Sequence, residues 1–146
     1  VLGVFDVKWV QPLAQVLFGL GCEQAMVVHG SDGLDEITLT GESHVAELRN
    51  GEISNYSLDP RKLGFKTCSS VDLKGGTPEE NAVMIQNILN GEIGPKRDIV
   101  VLNSAAAIYV AGKVNSIEQG IQCAIDSIES GKARNKLEDL CRITCS

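Results

Sequence analysis

The segment "VVHGSDGLDEITL", residues 27–39, places two adjacent carboxylates, Asp35 and Glu36, in a glycine-bearing loop between two apolar segments. A turn needs only one such residue. A divalent metal, or the phosphates that travel with one, would use both. Neighbouring carboxylates repel each other, and a cation relieves that repulsion. Mg²⁺ in particular keeps several waters and is held by one or two carboxylates plus substrate phosphates. The same residues also read as a solvated loop, in which Asp32 and Asp35 make Asx turns and Glu36 starts a strand. Residue types alone leave both readings open.

The other chemistry-bearing residues carry less. His29 follows an apolar run and could meet a phosphate or move a proton. A lone histidine in that position is more simply a hydrogen-bonded structural residue, and this is the expectation here. His44 falls in a predicted hairpin and carries no catalytic signal. Gly75-Gly76 before Thr77 could form a phosphate nest at a helix start, but a plain capped helix after a flexible turn explains it as well and is preferred. No spacing supports Ser-His-Asp or Cys-His catalysis, and neither the G-x-G-x-x-G nor the P-loop pattern occurs. The five cysteines (Cys22, Cys68, Cys123, Cys141, Cys145) are odd in number and scattered, which suits reduced thiols in a reducing compartment. Cys141 and Cys145 would share a helix face, but no His or further Cys lies near enough in sequence to complete a zinc site.

The elements that must position the acidic loop alternate along the chain. "VLGVFD" reads as a strand. Pro12 suits the first turn of a helix whose apolar face is Leu13, Val16, Leu17 and Leu20, with Gly21 at its end. "AMVV" is a short buried strand, so residues 1–28 predict a βαβ unit with parallel pairing. The acidic loop then lies at the carboxyl end of the second strand, the edge where open α/β sheets bind ligands. "ITLTG" and "HVAELRNGEISNYSL" read as further strand, with Asn50-Gly51 as a hairpin turn. "DPRKLG" is a turn or one short helix. "TPEENAVMIQNILNG" is a helix with a Thr77–Glu80 capping box, Pro78 in its first turn and Asn90-Gly91 as its stop. "GPKRDIVVLNSAAAIYVAG" could hold a strand, but its Ala-rich continuation and Pro95 favour one long buried helix. "NSIEQGIQCAIDSIESG", with a Ser116–Gln119 capping box and Gly131 at its end, and "NKLEDLCRI" complete the run of helices.

At 146 residues the chain is one domain's worth, and 43% hydrophobic with 22% charged residues is ordinary globular composition. The net charge of −6 without a Lys/Arg cluster argues against a nucleic-acid partner. No apolar run reaches membrane-spanning length, and no signal peptide is recognisable. A polyanionic substrate would have to be held by a metal or by helix N-termini rather than by bulk positive charge. An opening strand without an initiator Met predicts a piece of something larger.

The segment "GVFDVKWVQPLAQVLFGLGCEQAMVVHGSDGLDE" resembles anthranilate phosphoribosyltransferases. The resemblance continues through "RNGEI", "DPRKLGF", "GGTPEENA", "ILNGEIGPKRDIVVLNSAAAIYVAGK" and "IEQGIQCAIDSIESGKA", in order and over nearly the whole chain. It implies transfer of a phosphoribosyl group from phosphoribosyl pyrophosphate (PRPP) to anthranilate in tryptophan biosynthesis, with Mg²⁺, by a cytoplasmic or plastid homodimer. In the family's D-G-L-D-E motif the last two carboxylates bind Mg²⁺, and they match Asp35 and Glu36. The implied fold is α/β, of the nucleoside phosphorylase/phosphoribosyltransferase catalytic-domain type: a partial, mainly parallel sheet flanked by helices, with an inserted β-hairpin. The family's G-T-G-G-D loop that holds PRPP, its K-H-G-N stretch and its anthranilate-contacting arginine have no counterpart here. Residues 1–146 therefore read as the carboxyl-terminal portion of the α/β domain, lacking the amino-terminal helical domain and the PRPP loop, and inactive alone. A catalytically silent fragment or a binding relative of the same fold is the alternative. Pyrimidine nucleoside phosphorylases would lack the D-G-L-D-E segment.

Overall fold

The computed structural model describes residues 1–144, so Cys145 lies outside the described residues. A sheet ordered β1-β2-β3-β4 is formed by Leu2–Gly3, Ala25–Gly30, Ser43–Arg49 and Glu52–Leu58. Helix α1 (Val10–Gly19) joins the first two strands, which pair in parallel with Leu2 opposite Val27. The predicted βαβ unit is present. The strand at the start is shorter than "VLGVFD" suggests, because Asp6 already caps a 3-10 turn over Val7–Trp9.

Within this chain the sheet is mixed rather than mainly parallel. The β2–β3 and β3–β4 pairs are both antiparallel. The reason is the connection: parallel neighbours need a crossover of a dozen or more residues, usually helical, and the β2–β3 link contains no helix. The hairpin therefore continues the sheet instead of being inserted beside it. Its turn is as predicted, with Asn50 at φ 53 and Gly51 at φ 79, the two positive angles a type I′ turn requires.

Alternation in β2 and β3 sends side chains to two cores. Met26, Val28 and Val45 face helix α3 (Pro95–Val110), where they meet Leu102 and Ala106 together with Ile37, Leu39 and Leu58. Val27 and Ala46 face α1 and meet Val4, Val10 and Ala14. The face α1 buries is thus Val10–Leu13–Ala14–Leu17, while Val16 and Leu20, expected inside, are exposed. The long helix expected from Pro95 is present, and its other buried side packs Val101 against Ala124 and Ile128 of α4 (Ile117–Glu129). Helices α2 (Pro78–Leu89) and α5 (Lys132–Thr144) flank this layer. Thr77 and Glu80 form the expected reciprocal capping box on α2. At α4, Ser116 caps Gln119 as expected, but Gln119 Oε1 accepts from Asn115 N–H rather than from that of Ser116. "DPRKLG" folds as one 3-10 turn, Pro60–Leu63.

"ITLTG" is not a strand. Ile37, Thr38 and Leu39 are buried, yet the segment's backbone groups bond to side chains and loops instead of a ladder. Thr38 N–H donates to Ser43 Oγ at 3.0 Å, and Leu39 C=O accepts from Cys68 N–H at 3.1 Å. Buried peptide groups must be paired somewhere. Here hydroxyl and amide side chains do the pairing, and the segment is free to curve.

Among the described residues no helix is long and apolar enough to cross a membrane.

Candidate functional site

The acidic loop leaves the carboxyl end of β2, as the sequence predicts, and closes on itself. Gly30 N–H donates to Leu34 C=O at 2.8 Å, Gly33 N–H to Gly30 C=O at 2.9 Å, and Ser31 N–H to Glu42 C=O at 3.0 Å. Asp32 ties the loop to the segment that follows. Its Oδ2 accepts from the hydroxyls of Thr38 and Thr40, each at 2.7 Å, and its Oδ1 accepts from Leu34 N–H at 3.2 Å. Partial burial pushes the Asp32 carboxyl up, but the two hydroxyls and the amide outweigh it and hold the group below its ordinary value. Asp32 is thus a structural carboxylate, and the Asx-turn reading is right for it.

Asp35 and Glu36 differ. Both are exposed, and among the described residues neither carboxylate has a hydrogen bond or an ion pair. Their backbone is nonetheless held on both sides. Gly3 of β1 lies so close that a Cβ there would overlap the Asp35 carbonyl. On the other side Ile37, fully buried, is gripped by Asn103 of α3: Ile37 N–H donates to Asn103 Oδ1 at 3.0 Å, and Asn103 Nδ2 donates to Ile37 C=O at 2.8 Å. Two carboxylates free of partners are therefore mounted on fixed backbone.

The pair borders a cleft of about 530 Å³. Across it lie Lys74 and Gly75, and Ile99 of α3 also lines it. Lys96 of α3 donates to the Lys74 carbonyl at 2.7 Å, so α3 anchors both walls. The Gly75-Gly76 nest does not form an open anion site: Gly76 N–H donates to Asn81 Oδ1 at 2.8 Å and Thr77 N–H to Glu80 Oε2 at 2.7 Å. The plain capped helix is the correct reading there. His29 is structural, as expected. Its Nδ1 lies 2.8 Å from the Val4 carbonyl, which can only accept, so Nδ1 carries the proton. His44 is exposed and stacks on His29 with ring centres 6.4 Å apart.

Among the described residues no three His, Cys, Asp or Glu side chains converge on one point. A cation held by protein alone, as in a zinc or calcium cage, does not suit this loop. Exposed paired carboxylates are hard oxygen donors, and an ion that takes one or two of them and completes its shell with water and phosphate oxygens fits.

The chain matches the family described as "Glycosyl transferase family, a/b domain" over residues 1–134. It belongs to that family. Among curated relatives, the anthranilate phosphoribosyltransferase of Petrotoga mobilis is 51% identical over 98% of this chain, and that of Acetivibrio thermocellus is 53% identical over all of it. In both cases the chain spans 42% of the relative's length. The crystal structure of anthranilate phosphoribosyltransferase from Thermus thermophilus superposes with a TM-score of 0.87 at 42% identity, over 95% of this chain and 41% of that one. The Saccharomyces cerevisiae enzyme, solved in complex with PRPP and Mg, has a TM-score of 0.83 at 24% identity over 93% and 40%, a likeness of fold. The glycosyl transferase a/b domain is thus represented here by an α/β piece with two antiparallel pairs at one side of the sheet.

Sequence reasoning singled out the acidic pair and missed what braces its backbone. Asn103 carried a signal, a lone amide in the apolar helical run "VVLNSAAA". Thr38 and Thr40 carried one as well, two hydroxyls in a segment read only as further strand, while Ser43 fell between the segments that were read.

Proposed function

We propose that this chain is the carboxyl-terminal portion of the α/β domain of an anthranilate phosphoribosyltransferase, and that Asp35 and Glu36 hold Mg²⁺ for the pyrophosphate of PRPP. The observation that carries the reading is the division of labour in one loop. Asp32 is consumed by Thr38 and Thr40, while Asp35 and Glu36 stand unpaired at a cleft on backbone braced by Gly3 and Asn103. Relatives of about half-identical sequence that bear the transferase name, and the yeast enzyme's complex with PRPP and Mg, support it. The homodimer belongs to the proposal for the complete protein.

When bound, Mg²⁺ would neutralise the charge that develops on the departing pyrophosphate. The chain's own part is positioning. Asp35 and Glu36 present ionised oxygens at one place, the closed loop keeps them from folding back onto local amides, and Lys74 puts a positive charge on the facing wall. Pre-placed charge of this kind costs no reorganisation when the bond breaks.

In the full-length protein, Asp35→Asn and Glu36→Gln should each lower turnover by about a hundredfold and move the Mg²⁺ dependence to higher concentration. An unchanged Mg²⁺ titration in either variant would remove that residue from the metal site. Residues 1–146 alone should form no phosphoribosylanthranilate above background.

A further inference from the structure

Asn103 makes bonds that its place in the fold does not require. It lies mid-way along α3, between the buried Leu102 and Ala105, and its amide reaches across 66 positions of sequence to the acidic loop. Both polar atoms of the amide are engaged. Oδ1 accepts from Ile37 N–H at 3.0 Å, while Nδ2 donates to Ile37 C=O at 2.8 Å and to Ile99 C=O at 3.0 Å. The orientation is unique, because the amide N–H of Ile37 must meet an oxygen and its carbonyl must meet a nitrogen. A residue pairing through both its N–H and its C=O is the pattern of one rung of a strand ladder. Here a side chain supplies that rung to a segment that has no strand neighbour.

The rung is placed immediately after Glu36. The Ile37 N–H belongs to the peptide that joins Glu36 to Ile37, so the bond to Asn103 fixes the plane of that peptide and the direction in which the Glu36 Cα–Cβ bond leaves it. Glu36 is exposed and its carboxylate has no partner of its own among the described residues, so nothing at the tip of its side chain fixes it. On the amino-terminal side Asp35 is backed by Gly3. On the carboxyl-terminal side this one amide links the pair to α3, the helix that also carries Ile99 into the cleft.

We propose that Asn103 is a positioning residue for the Asp35–Glu36 pair, setting the two carboxylates at the separation and aim that a hard divalent cation needs. The inference rests on the metal reading of that pair given above and adds a residue to it that does not touch the cation. Groups that orient metal ligands without touching the metal typically change affinity by 10–100-fold when removed, and the same range is expected here.

The test is Mn²⁺ titration followed by water-proton relaxation in the full-length protein, with inorganic pyrophosphate present to supply the phosphate oxygens and without turnover. Four variants are compared with the unaltered protein: Asn103→Ala, Asn103→Leu, Val101→Ala, and Asp35→Asn combined with Glu36→Gln. Asn103→Leu keeps the volume and serves if the alanine variant fails to fold. Val101→Ala truncates the opposite, α4-facing side of the same helix and destabilises it without reaching the loop. The expected result is Mn²⁺ binding weakened at least about tenfold in the Asn103 variants, abolished in the double variant and unchanged in Val101→Ala. If the double variant loses Mn²⁺ but folded Asn103 variants bind as the unaltered protein does, or if Val101→Ala weakens binding equally, the positioning role is overturned while the metal site stands. If the unaltered protein binds no better than the double variant, the metal reading falls and the positioning role falls with it.

Discussion

Gly30→Ala tests whether the Asp32 knot holds the acidic loop. A Cβ on Gly30 would lie 2.6 Å from Asp32 Oδ1, 3.1 Å from Thr38 Cβ and 3.2 Å from the Glu36 carbonyl. Shifts of a few tenths of an ångström relieve the last two. The first requires the Asp32 side chain to swing, and its Oδ2 then leaves the Thr38 and Thr40 hydroxyls. A hydrogen bond to a charged group contributes about 1.5–3 kcal/mol when shielded. Asp32 has an exposed side, so about 1 kcal/mol per hydroxyl applies after solvent screening. Gly30→Ala should then cost about 2 kcal/mol, and Asp32→Ala about the same, since it deletes the acceptor. With the carboxylate gone, the added methyl meets only the two softer contacts, and the loss of glycine's freedom offsets about 0.5–1 kcal/mol. The double variant should therefore be about as stable as Asp32→Ala alone, a coupling of about 2 kcal/mol. Urea unfolding of the four proteins measures it. Costs that add to within about 0.5 kcal/mol refute the account, because they would mean that Gly30 and Asp32 act through different contacts.

Asp32 also sets part of the acid limit of stability. Its folded-state carboxyl lies below the ordinary value, so its contribution is present above the unfolded value of about 3.9 and is lost as pH falls through the lower folded one. The stability gap to Asp32→Asn should be constant from neutral pH to about pH 4 and narrow below it; a gap that narrows between pH 7 and 5 points to another group. Tyr56 and Tyr109 donate to the two oxygens of Glu47 at 2.8 and 2.6 Å. Burial first, and that carboxylate second, raise both phenols. As these are the only two tyrosines, phenolate absorbance should appear only with alkaline unfolding, and stability should decline as pH rises above about 10; a phenolate forming in the folded protein near that pH would contradict the bonds. Thr77→Ala removes one half of the α2 capping box and should cost about 1 kcal/mol in thermal or urea unfolding.

The fold was legible in the sequence wherever a signal was local. Asn50-Gly51, Pro78 after Thr77, and Pro95 before an Ala-rich run each state a backbone requirement within two or three residues, and each is met. The helix face of α1 was misplaced by one row because Ala14 packs inside and Val16 does not, and hydrophobicity alone does not distinguish a small buried residue from a large exposed one. The strand expected at "ITLTG" failed for a different reason. Its alternation of apolar and polar residues predicts alternate burial, whereas Ile37, Thr38 and Leu39 are all fully buried, and a strand also needs a backbone partner on at least one edge. Here the partners are Asn103 and Ser43, one of them 66 positions away.

The same distinction governs the acidic residues. Asp32, Asp35 and Glu36 lie within five positions, and residue type cannot say which of them a ligand would find free. Hydrogen-bond supply does. A carboxylate is withdrawn from ligand binding when nearby donors outnumber the loop's other acceptors, and the donors here are the hydroxyls of Thr38 and Thr40, two positions apart, so both reach Asp32 Oδ2. No hydroxyl or cationic side chain is bonded to Asp35 or Glu36 among the described residues. Replacing both Thr38 and Thr40 by Val would therefore release Asp32 Oδ2 beside the pair while leaving the segment apolar. Under the metal reading, Thr38→Val combined with Thr40→Val should tighten Mn²⁺ binding, and unchanged binding would mean that the loop's closure keeps Asp32 turned away from the cation. Weaker binding would mean that the hydroxyls position Asp35 and Glu36 through Asp32, extending to this side of the loop the bracing that Asn103 provides on the other.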